Sequence, residues 1–188
     1  MNLMISKTPS RTTDGAARAN AAAEIISYAI SECILGRVLV ARSVKGVCAI
    51  LIGADHEELK ADLAARFPRA KTIVNETIVR DDLGKVIRFV DKPAKGLHFT
   101  LDMRGTPFQR RVWEKLRAIP IGRTVSYMEL AHWISPLASA RAVAGACAAN
   151  PIALAIPCHR VVRSNGDLAG YRWGIERKRE LLSRETVA

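Results

Sequence analysis

The segment Pro93-Ala94-Lys95-Gly96 is a loop signal that separates two parts of the chain with different residue patterns. Before it, residues 34–41 and 47–52 are β-prone runs, and the short connection between them ends in a glycine, which predicts a hairpin. After it, helical spacing of apolar residues and clustered arginines prevail. We therefore expect an α+β fold, with a domain boundary between residues 93 and 105.

The two predicted domains differ in architecture. Residues 23–97 are expected to form a small N-terminal α/β domain, with a β-hairpin or short antiparallel sheet and helices over 55–67 and 76–90. Residues 98–188 are expected to form a mainly helical, winged-helix-like C-terminal domain. Residues 1–22 are rich in small and polar side chains, which predicts a flexible tail. The helices of the C-terminal domain are predicted after the N-cap Thr106 and over 126–133, 139–149 and 174–185.

A helix-turn-helix is predicted within the C-terminal domain. Ser126 and Glu129 have the spacing of a capping box, and Ser135-Pro136 breaks the chain before a second, alanine-rich helix. The thin surface of that second helix suits either tight packing against another helix or the minor groove of DNA, which is only about 6 Å wide.

The charge of the chain favours a polyanionic partner. The formal net charge is +11, from 29 basic and 18 acidic residues, and such a surplus suits nucleic acid or an anionic membrane surface. No apolar run approaches the roughly 18 to 20 residues that a membrane span requires. We therefore expect no membrane insertion and a cytoplasmic location.

The four cysteines form no C-x-x-C pair and no regular framework, so reduced thiols are expected rather than disulfides. A zinc site would need ligands that are dispersed along the sequence, and we expect neither a metal nor a cofactor. The cysteines are Cys33, Cys48, Cys147 and Cys158, and the dispersed candidate ligands are Cys33, Cys48, His56 and His98.

Cys158 has the most informative surroundings of the four cysteines. A largely apolar run over 150–157, with a proline near each end, leads into Cys158, and His159 and Arg160 follow at once. Positive charge beside a thiol favours the thiolate, which is the attacking form. Neighbouring side chains on a strand point to opposite faces, so contact between Cys158 and His159 would need a turn or a bridging water. From local chemistry alone, a buried and inert cysteine fits equally well.

The segment Pro157-Cys158-His159-Arg160-Val161 resembles the active-site signature of the O6-methylguanine-DNA methyltransferase family. Tyr171-Arg172-Trp173-Gly174 is similar to the C-terminal domain of the bacterial Ada protein. The resemblance extends over about residues 24–185 and is densest from Gly105 onward. It implies irreversible, single-turnover transfer of a methyl group from O6-methylguanine in DNA, and from O4-methylthymine, to Cys158. It leaves open whether the chain stands alone or belongs to a longer Ada-type protein.

The resemblance implies five catalytic roles. Cys158 is the acceptor thiolate, His159 is the base that removes its proton through a water, and Glu185 orients that histidine. Asn150 ties the helix-turn-helix to the active-site segment. Tyr127 protonates or hydrogen-bonds the guanine ring as it leaves. Without the resemblance, Tyr127 fits a core aromatic and Arg141 a solvated helix residue equally well, and a solvated acid is the favoured interpretation of Glu185.

DNA contacts are implied for residues of the second helix of the helix-turn-helix and its surroundings. Arg141 would enter the base stack in place of the extruded nucleotide, while Ala142 and Gly145 would lie in the minor groove. Tyr127 and Arg160 are further implied DNA contacts. The basic residues that could neutralise phosphates are Arg104, Arg110, Arg111, Lys115, Arg117, Arg123, Arg160, Arg163 and Arg172.

The implied substrate pocket contains Val161, Tyr171, Arg172 and Trp173. Several family members have small residues where this chain has Arg172 and Trp173, so the resemblance implies a tighter pocket that prefers methyl over bulky alkyl groups. The expected partner is double-stranded DNA with alkylated bases, bound by a monomer. Two alternatives stay open, namely a non-catalytic protein that recognises alkylated DNA and a regulator that senses methylation. A cysteine hydrolase is disfavoured because the surroundings of Cys158 are typical of DNA binding.

Overall fold

The computed structural model describes residues 23–186, and its N-terminal part is built on a four-stranded mixed sheet. The strand order is β3-β2-β1-β4, with β1, β2 and β3 antiparallel and β4 parallel to β1. The predicted hairpin is confirmed as β2 and β3, but the sheet also contains β1 and β4, which the sequence patterns did not predict. The strands are β1 (Glu24–Cys33), β2 (Gly36–Ser43), β3 (Gly46–Gly53) and β4 (Ala70–Val74).

Two helices contact this sheet, α1 (His56–Arg66) and α2 (Glu76–Asp91). Helix α1 begins after Asp55, whose carboxylate accepts the backbone N–H groups of the first helical turn, as is typical of an N-cap. Its apolar face is buried against the sheet. Helix α2 runs through Gly84 without interruption, so the predicted helix is confirmed despite the weak helix propensity of glycine.

The C-terminal part is mainly helical, and each of its four α-helices begins within about one residue of its predicted start. Thr106 and Ser126 both form complete capping boxes, in which side chain and backbone satisfy each other reciprocally. A short parallel ladder accompanies the helix-turn-helix, and a 3-10 turn precedes its second strand. The elements are α3 (Pro107–Arg117), β5 (Val125–Ser126), α4 (Tyr127–Ile134), α5 (Ala140–Ala148), the 3-10 turn (Cys158–Arg160), β6 (Val161–Val162) and α6 (Ile175–Thr186).

The two parts are joined along the free edge of β3. The backbone N–H of Val47 donates to Thr100 O at 2.9 Å, and the N–H of Asp102 donates back to Val47 O at 2.9 Å. Further along β3, Ile50 makes the same reciprocal pairing with residues 151 and 153, at 3.0 Å each. These bonds satisfy the polar groups of an edge strand that would otherwise be unpaired. The apolar core is also continuous from the sheet to the helices. The division into two domains at residue 98 stays a prediction.

The sequence also predicted a flexible N-terminal tail and no membrane insertion. Residues 1–22, predicted to form a tail, lie outside the described residues. Within residues 23–186, no helix is both long and apolar enough to cross a membrane.

Gly46 is expected to control the junction between β3 and the C-terminal part. Its φ is +142°, and a Cβ added there would lie 2.3 Å from the carbonyl oxygen of Thr100. We expect Gly46→Ala to lower the free energy of unfolding by about 3 kcal/mol, from backbone strain and overpacking together. Urea denaturation measures this loss. Gly166→Ala is the matched control, since Gly166 has φ +85° but open space around it and should lose only about 1 kcal/mol. Equal losses in the two variants would show that the junction is not tightly packed.

Candidate active site

Cys158 begins a tight turn that the sequence did not predict in detail. Pro157 has φ −79° and ψ 64°, an inverse γ-turn in which the backbone N–H of Cys158 donates to Ile156 O at 2.8 Å. The 3-10 turn Cys158–Arg160 follows, and all three of its residues are buried. A strand would send the side chains of Cys158 and His159 to opposite faces. The 3-10 turn instead changes the direction of the backbone between these two residues.

Asn150 connects the helix-turn-helix to the turn that carries Cys158. It lies just after the end of α5 and is fully buried. Its side-chain N–H groups donate to Ile156 O at 2.8 Å and to Cys158 Sγ at 3.3 Å, while its Oδ1 accepts the backbone N–H of Ile152 at 2.9 Å. The side chain therefore fixes the thiol relative to α5, which agrees with the linking role implied for it.

Glu185 and His159 form a buried pair. The distance from His159 Nε2 to Glu185 Oε1 is 2.8 Å, and neither side chain is exposed. Because an ionised carboxylate can only accept, Nε2 carries the proton and donates it to Glu185. Nδ1 has no hydrogen-bond partner within the described residues, so its lone pair is available to accept a proton.

Arg160 completes this network. Its Nε and Nη2 donate to the two oxygens of Glu185 at 2.8 Å each, and its Nη1 donates to Ile119 O at 2.6 Å. Only 6% of the residue is exposed. Three of its five N–H groups are therefore committed inside the protein, and the predicted DNA contact of Arg160 stays a prediction.

The charges of the network determine the protonation states. Burial alone would raise the pKa of Glu185, but its bonds to His159 and Arg160 outweigh that effect and lower the pKa to about 2. Burial lowers the pKa of His159, although the bond to Glu185 acts in the opposite direction. The effect of burial prevails because Arg160 already neutralises the carboxylate. His159 is thus a neutral imidazole near pH 7.

The Cys158 thiol is not activated in the way that the sequence suggested. Burial raises its pKa to about 11, while the bond from Asn150 and the charge of Lys178 lower it by less. The positive charge of Arg160 is neutralised by Glu185, and His159 is neutral. The thiol is therefore protonated near pH 7, and it needs a base before it can attack.

A cavity of about 320 Å³ opens beside Cys158. Tyr127, at the start of α4, shares this cavity with the thiol, and burial raises its pKa to about 12. Its hydroxyl therefore stays a hydrogen-bond donor across the physiological range. The residues that line the cavity are Tyr127, Ala144, Cys147, Ala148, Cys158, Ala169, Gly170, Tyr171 and Arg172.

Two of the four predicted pocket residues do not line this cavity. Val161 is fully buried in β6 and its carbonyl accepts a hydrogen bond, so its side chain belongs to the core. Trp173 is also buried and contacts Tyr171 edge-on, with ring centroids 5.1 Å apart. Trp173 therefore supports a residue of the cavity wall, whereas Tyr171 and Arg172 line the cavity directly.

Helix α5 exposes the small residues that the sequence singled out. Arg141, Ala142, Gly145 and Ala148 are all exposed, whereas Val143 and its neighbours on the opposite face are buried. A Cβ added to Gly145 would meet no atom within 4 Å. The packing of the chain itself therefore does not require glycine at this position, which leaves a thin surface open to an external partner.

The predicted phosphate contacts fall into two groups. Arg104 is bound to Glu24 and Asp102, and Arg172 is bound to Asp62 at 2.8 Å, so their charges are at least partly neutralised. The others, apart from Arg160, are exposed and make no ion pair within residues 23–186. They are Arg110, Arg111, Lys115, Arg117, Arg123 and Arg163.

Lys178 is a residue of the site that the sequence analysis did not identify. It is fully buried on α6, and its Nζ donates to Val161 O at 2.6 Å and to Ala169 O at 3.4 Å. Ala169 belongs to the cavity wall, so the lysine ties the loop beside the cavity to strand β6. The sequence contained one signal for this role. Lys178 lies at helical spacing from the apolar residue Leu181, and a charged side chain on the apolar face of a helix is unusual.

The described residues form no metal-binding group. Cys33, Cys48, His56 and His98, the dispersed candidates for zinc, are not brought together, and all four cysteines are free thiols.

The family profile and the similar known proteins all belong to one family. A family profile described as the 6-O-methylguanine DNA methyltransferase DNA-binding domain matches residues 107–187. The chain is 48% identical over 160 residues to the bifunctional transcriptional activator/DNA repair enzyme Ada of Escherichia coli, covering 85% of this chain and 45% of that protein. It is 34% identical over 152 residues to the inducible methylated-DNA–protein-cysteine methyltransferase of Bacillus subtilis, covering 79% of this chain and 84% of that protein.

A solved structure shares the fold. The crystal structure of Mycobacterium tuberculosis OGT in complex with DNA matches with a TM-score of 0.69 and 30% identity, over 87% of this chain and 93% of that one. Fold and site together define an α+β protein in which a buried thiol and a His–Glu pair adjoin a helix-turn-helix. The chain belongs to the O6-methylguanine-DNA methyltransferase family. It spans less than half the length of its Ada-type relatives, 45% of the protein from E. coli.

We expect Lys178→Met to raise the pKa of Cys158 further, because the variant removes a positive charge that stabilises the thiolate. It should also lower the free energy of unfolding by about 1 to 3 kcal/mol, since two carbonyls lose their donor. The pH dependence of iodoacetamide alkylation, followed on the Cys158 peptide by mass spectrometry, measures the first effect. Arg179→Met, at an exposed position of the same helix, is the control. An alkylation profile identical to that of the wild type would rule out an electrostatic role for Lys178.

Proposed function

We propose that this protein repairs alkylated DNA by direct reversal, as a methylated-DNA–protein-cysteine methyltransferase that moves a methyl group from O6-methylguanine to Cys158. The observation that carries the proposal is the position of the Cys158 thiol. It lines a cavity together with a donor hydroxyl, and a neutral histidine held by a carboxylate follows it in the same turn. This arrangement supplies the nucleophile, the base and the acid that displacement of a purine from its methyl group requires.

The proposed reaction begins with the base. Nδ1 of neutral His159 accepts the proton of the Cys158 thiol through a bridging water, and Glu185 stabilises the imidazolium that results. The thiolate then attacks the methyl carbon. A bond forms between Sγ and that carbon, the bond between carbon and O6 breaks, and the electron pair moves onto the purine. The hydroxyl of Tyr127 donates a hydrogen bond or a proton to the leaving guanine, which offsets its developing negative charge.

The proposed transfer is irreversible. The product is a thioether, and the thiolate is a poor leaving group from its methyl carbon. The mechanism contains no second nucleophile that regenerates the thiol. Each molecule therefore acts once. No cofactor is needed, because the substrate itself supplies the methyl group.

The surface of α5 supports DNA binding on the same side as the cavity entrance. Ala144 and Ala148 line the cavity, while Arg141, Ala142 and Gly145 are exposed on the same helix. A thin helix of this kind fits the narrow minor groove. We propose that Arg141 fills the gap left by the flipped nucleotide, at a cost of a few kcal/mol for unstacking. The related M. tuberculosis protein has been crystallised in complex with DNA, which supports this assignment.

The cavity also supports a preference for small alkyl groups. Tyr171 and Arg172 lie on its wall, and Trp173 buttresses Tyr171 from behind. We propose methyl groups on O6 of guanine, and on O4 of thymine, as the substrates that fit, with bulky groups disfavoured.

A monomer suffices for this function, since one chain supplies every residue of the site. A cytoplasmic location fits it, because the transfer requires DNA and a reduced thiol. A non-catalytic recognition protein would not need the His159–Glu185 pair, whereas a regulator that senses its own methylation would need it for the same transfer.

The direct test is mass spectrometry of the full chain after incubation with a duplex that contains one O6-methylguanine. We expect a gain of one methyl group, about 14 Da, confined to the peptide that contains Cys158. Cys158→Ala should gain no mass, and Cys147→Ala, which removes the other thiol of the cavity, should still be methylated. A duplex that binds without any mass gain would instead identify a recognition protein.

A further inference from the structure

A second cavity, of about 410 Å³, lies on the other side of the active-site turn. Pro157 and Arg160 line it, whereas Cys158 lines the first cavity, and the two cavities share no residue. Its other walls come from the end of α2, the loop 94–98, the segment 117–121 at the end of α3, and residues 154–155. The proposed repair reaction does not use this second cavity.

The charge of the second cavity is positive. Lys95, Arg117 and Arg160 line it, and none of its lining residues is an aspartate or a glutamate. Glu185 neutralises Arg160, but Lys95 and Arg117 are exposed and form no ion pair with any residue of the described range 23–186. Two cationic groups therefore face the same space without a protein counter-ion, which favours an anion.

Arg160 also lines the cavity, and part of its hydrogen-bonding capacity is unused. A guanidinium has five N–H donors, and three of those of Arg160 are committed to Glu185 and Ile119. The same bonds hold the side chain in one position. The two remaining donors are therefore preorganised, so binding an anion costs little side-chain entropy at this residue.

The backbone around the cavity is strained at one position. Leu154 has φ +67°, and no other non-glycine residue within 23–186 has a positive φ. The backbone N–H of Ala155 donates to Ala153 O at 2.7 Å across Leu154, which makes a γ-turn of the rare, strained kind. Such strain costs about 1 to 2 kcal/mol and persists where the surroundings hold a particular shape.

The apolar walls indicate an organic ligand. Phe89, Leu97, Ile121 and Leu154 line the cavity, and its volume lies within the range of small-molecule sites. An inorganic anion alone would leave these walls in contact with water. Arginine and lysine together suit the several oxygens of a phosphate group better than the two of a carboxylate.

We propose that the second cavity binds a small phosphate-bearing ligand of nucleotide size. The phosphate lies between Lys95, Arg117 and the free donors of Arg160, and the organic group lies against the apolar walls. The source is a free small molecule. Because the phosphates of DNA have the same chemistry, the test must distinguish the two sources.

Isothermal titration calorimetry of the full chain tests this proposal with three probes, adenosine 5′-monophosphate, inorganic phosphate and adenosine. We expect saturable binding of the nucleotide, weaker binding of phosphate and none of adenosine. The double variant Lys95→Ala/Arg117→Ala should bind the nucleotide about tenfold more weakly or worse, since two charged partners are lost. Lys71→Ala/Arg80→Ala removes the same charge from exposed positions outside the cavity and away from the predicted DNA contacts, and it should bind normally.

Three results would overturn the proposal. The first is the absence of saturable binding for both the nucleotide and phosphate. The second is an equal loss in the two double variants, because binding would then follow net charge alone. The third is displacement of the nucleotide by an undamaged duplex that itself binds more weakly to Lys95→Ala/Arg117→Ala than to the control. In that case the DNA backbone occupies the cavity. All three readouts are independent of methyl transfer, so they do not depend on the proposed repair activity.

Discussion

The buried carboxylate of Glu185 is the constraint on which the rest of the active site depends. Removing an ionised carboxylate from water costs several kcal/mol unless it is paired and fully hydrogen-bonded. Here His159 and Arg160 supply three donors to its two oxygens, and Arg160 continues to Ile119 beyond the end of α3. This single group therefore fixes α6, the turn of Cys158 and the end of α3 relative to one another. Burial leaves His159 neutral and the thiol protonated until a base acts.

The DNA-binding helix and the thiol are mechanically connected. Asn150 lies two residues beyond the end of α5, and its amide N–H groups donate to both Ile156 O and the sulfur of Cys158. The face of α5 that is exposed and the face that borders the cavity belong to the same nine-residue helix. A base flipped beside α5 would consequently meet a thiol whose position is already set, which reduces the entropic cost of the reaction.

Local signals made most of the fold predictable. Capping boxes at Thr106 and Ser126 and an N-cap at Asp55 located helices to within about one residue, because these side chains satisfy backbone N–H groups nearby. Strand β4 was missed because its partner β1 is distant in sequence and β4 is partly exposed, which hides the alternation. Strand β1 was missed although its partner β2 begins only three residues after it ends. The pairing of Arg160 with Glu185 joins residues 25 positions apart, so nothing local distinguished that arginine from a surface one.

The proposed role of Glu185 is to prepare His159 as the base for Cys158. Glu185→Gln tests it, since glutamine keeps the shape but removes the charge. The measurement is the single-turnover rate of methyl transfer from an O6-methylguanine duplex at pH 7, with duplex affinity measured in parallel. We predict a rate about 100-fold or more below that of the wild type with little change in affinity, the usual effect of impairing a general base. A Glu185→Gln variant that transfers its methyl group at the wild-type rate would contradict the account.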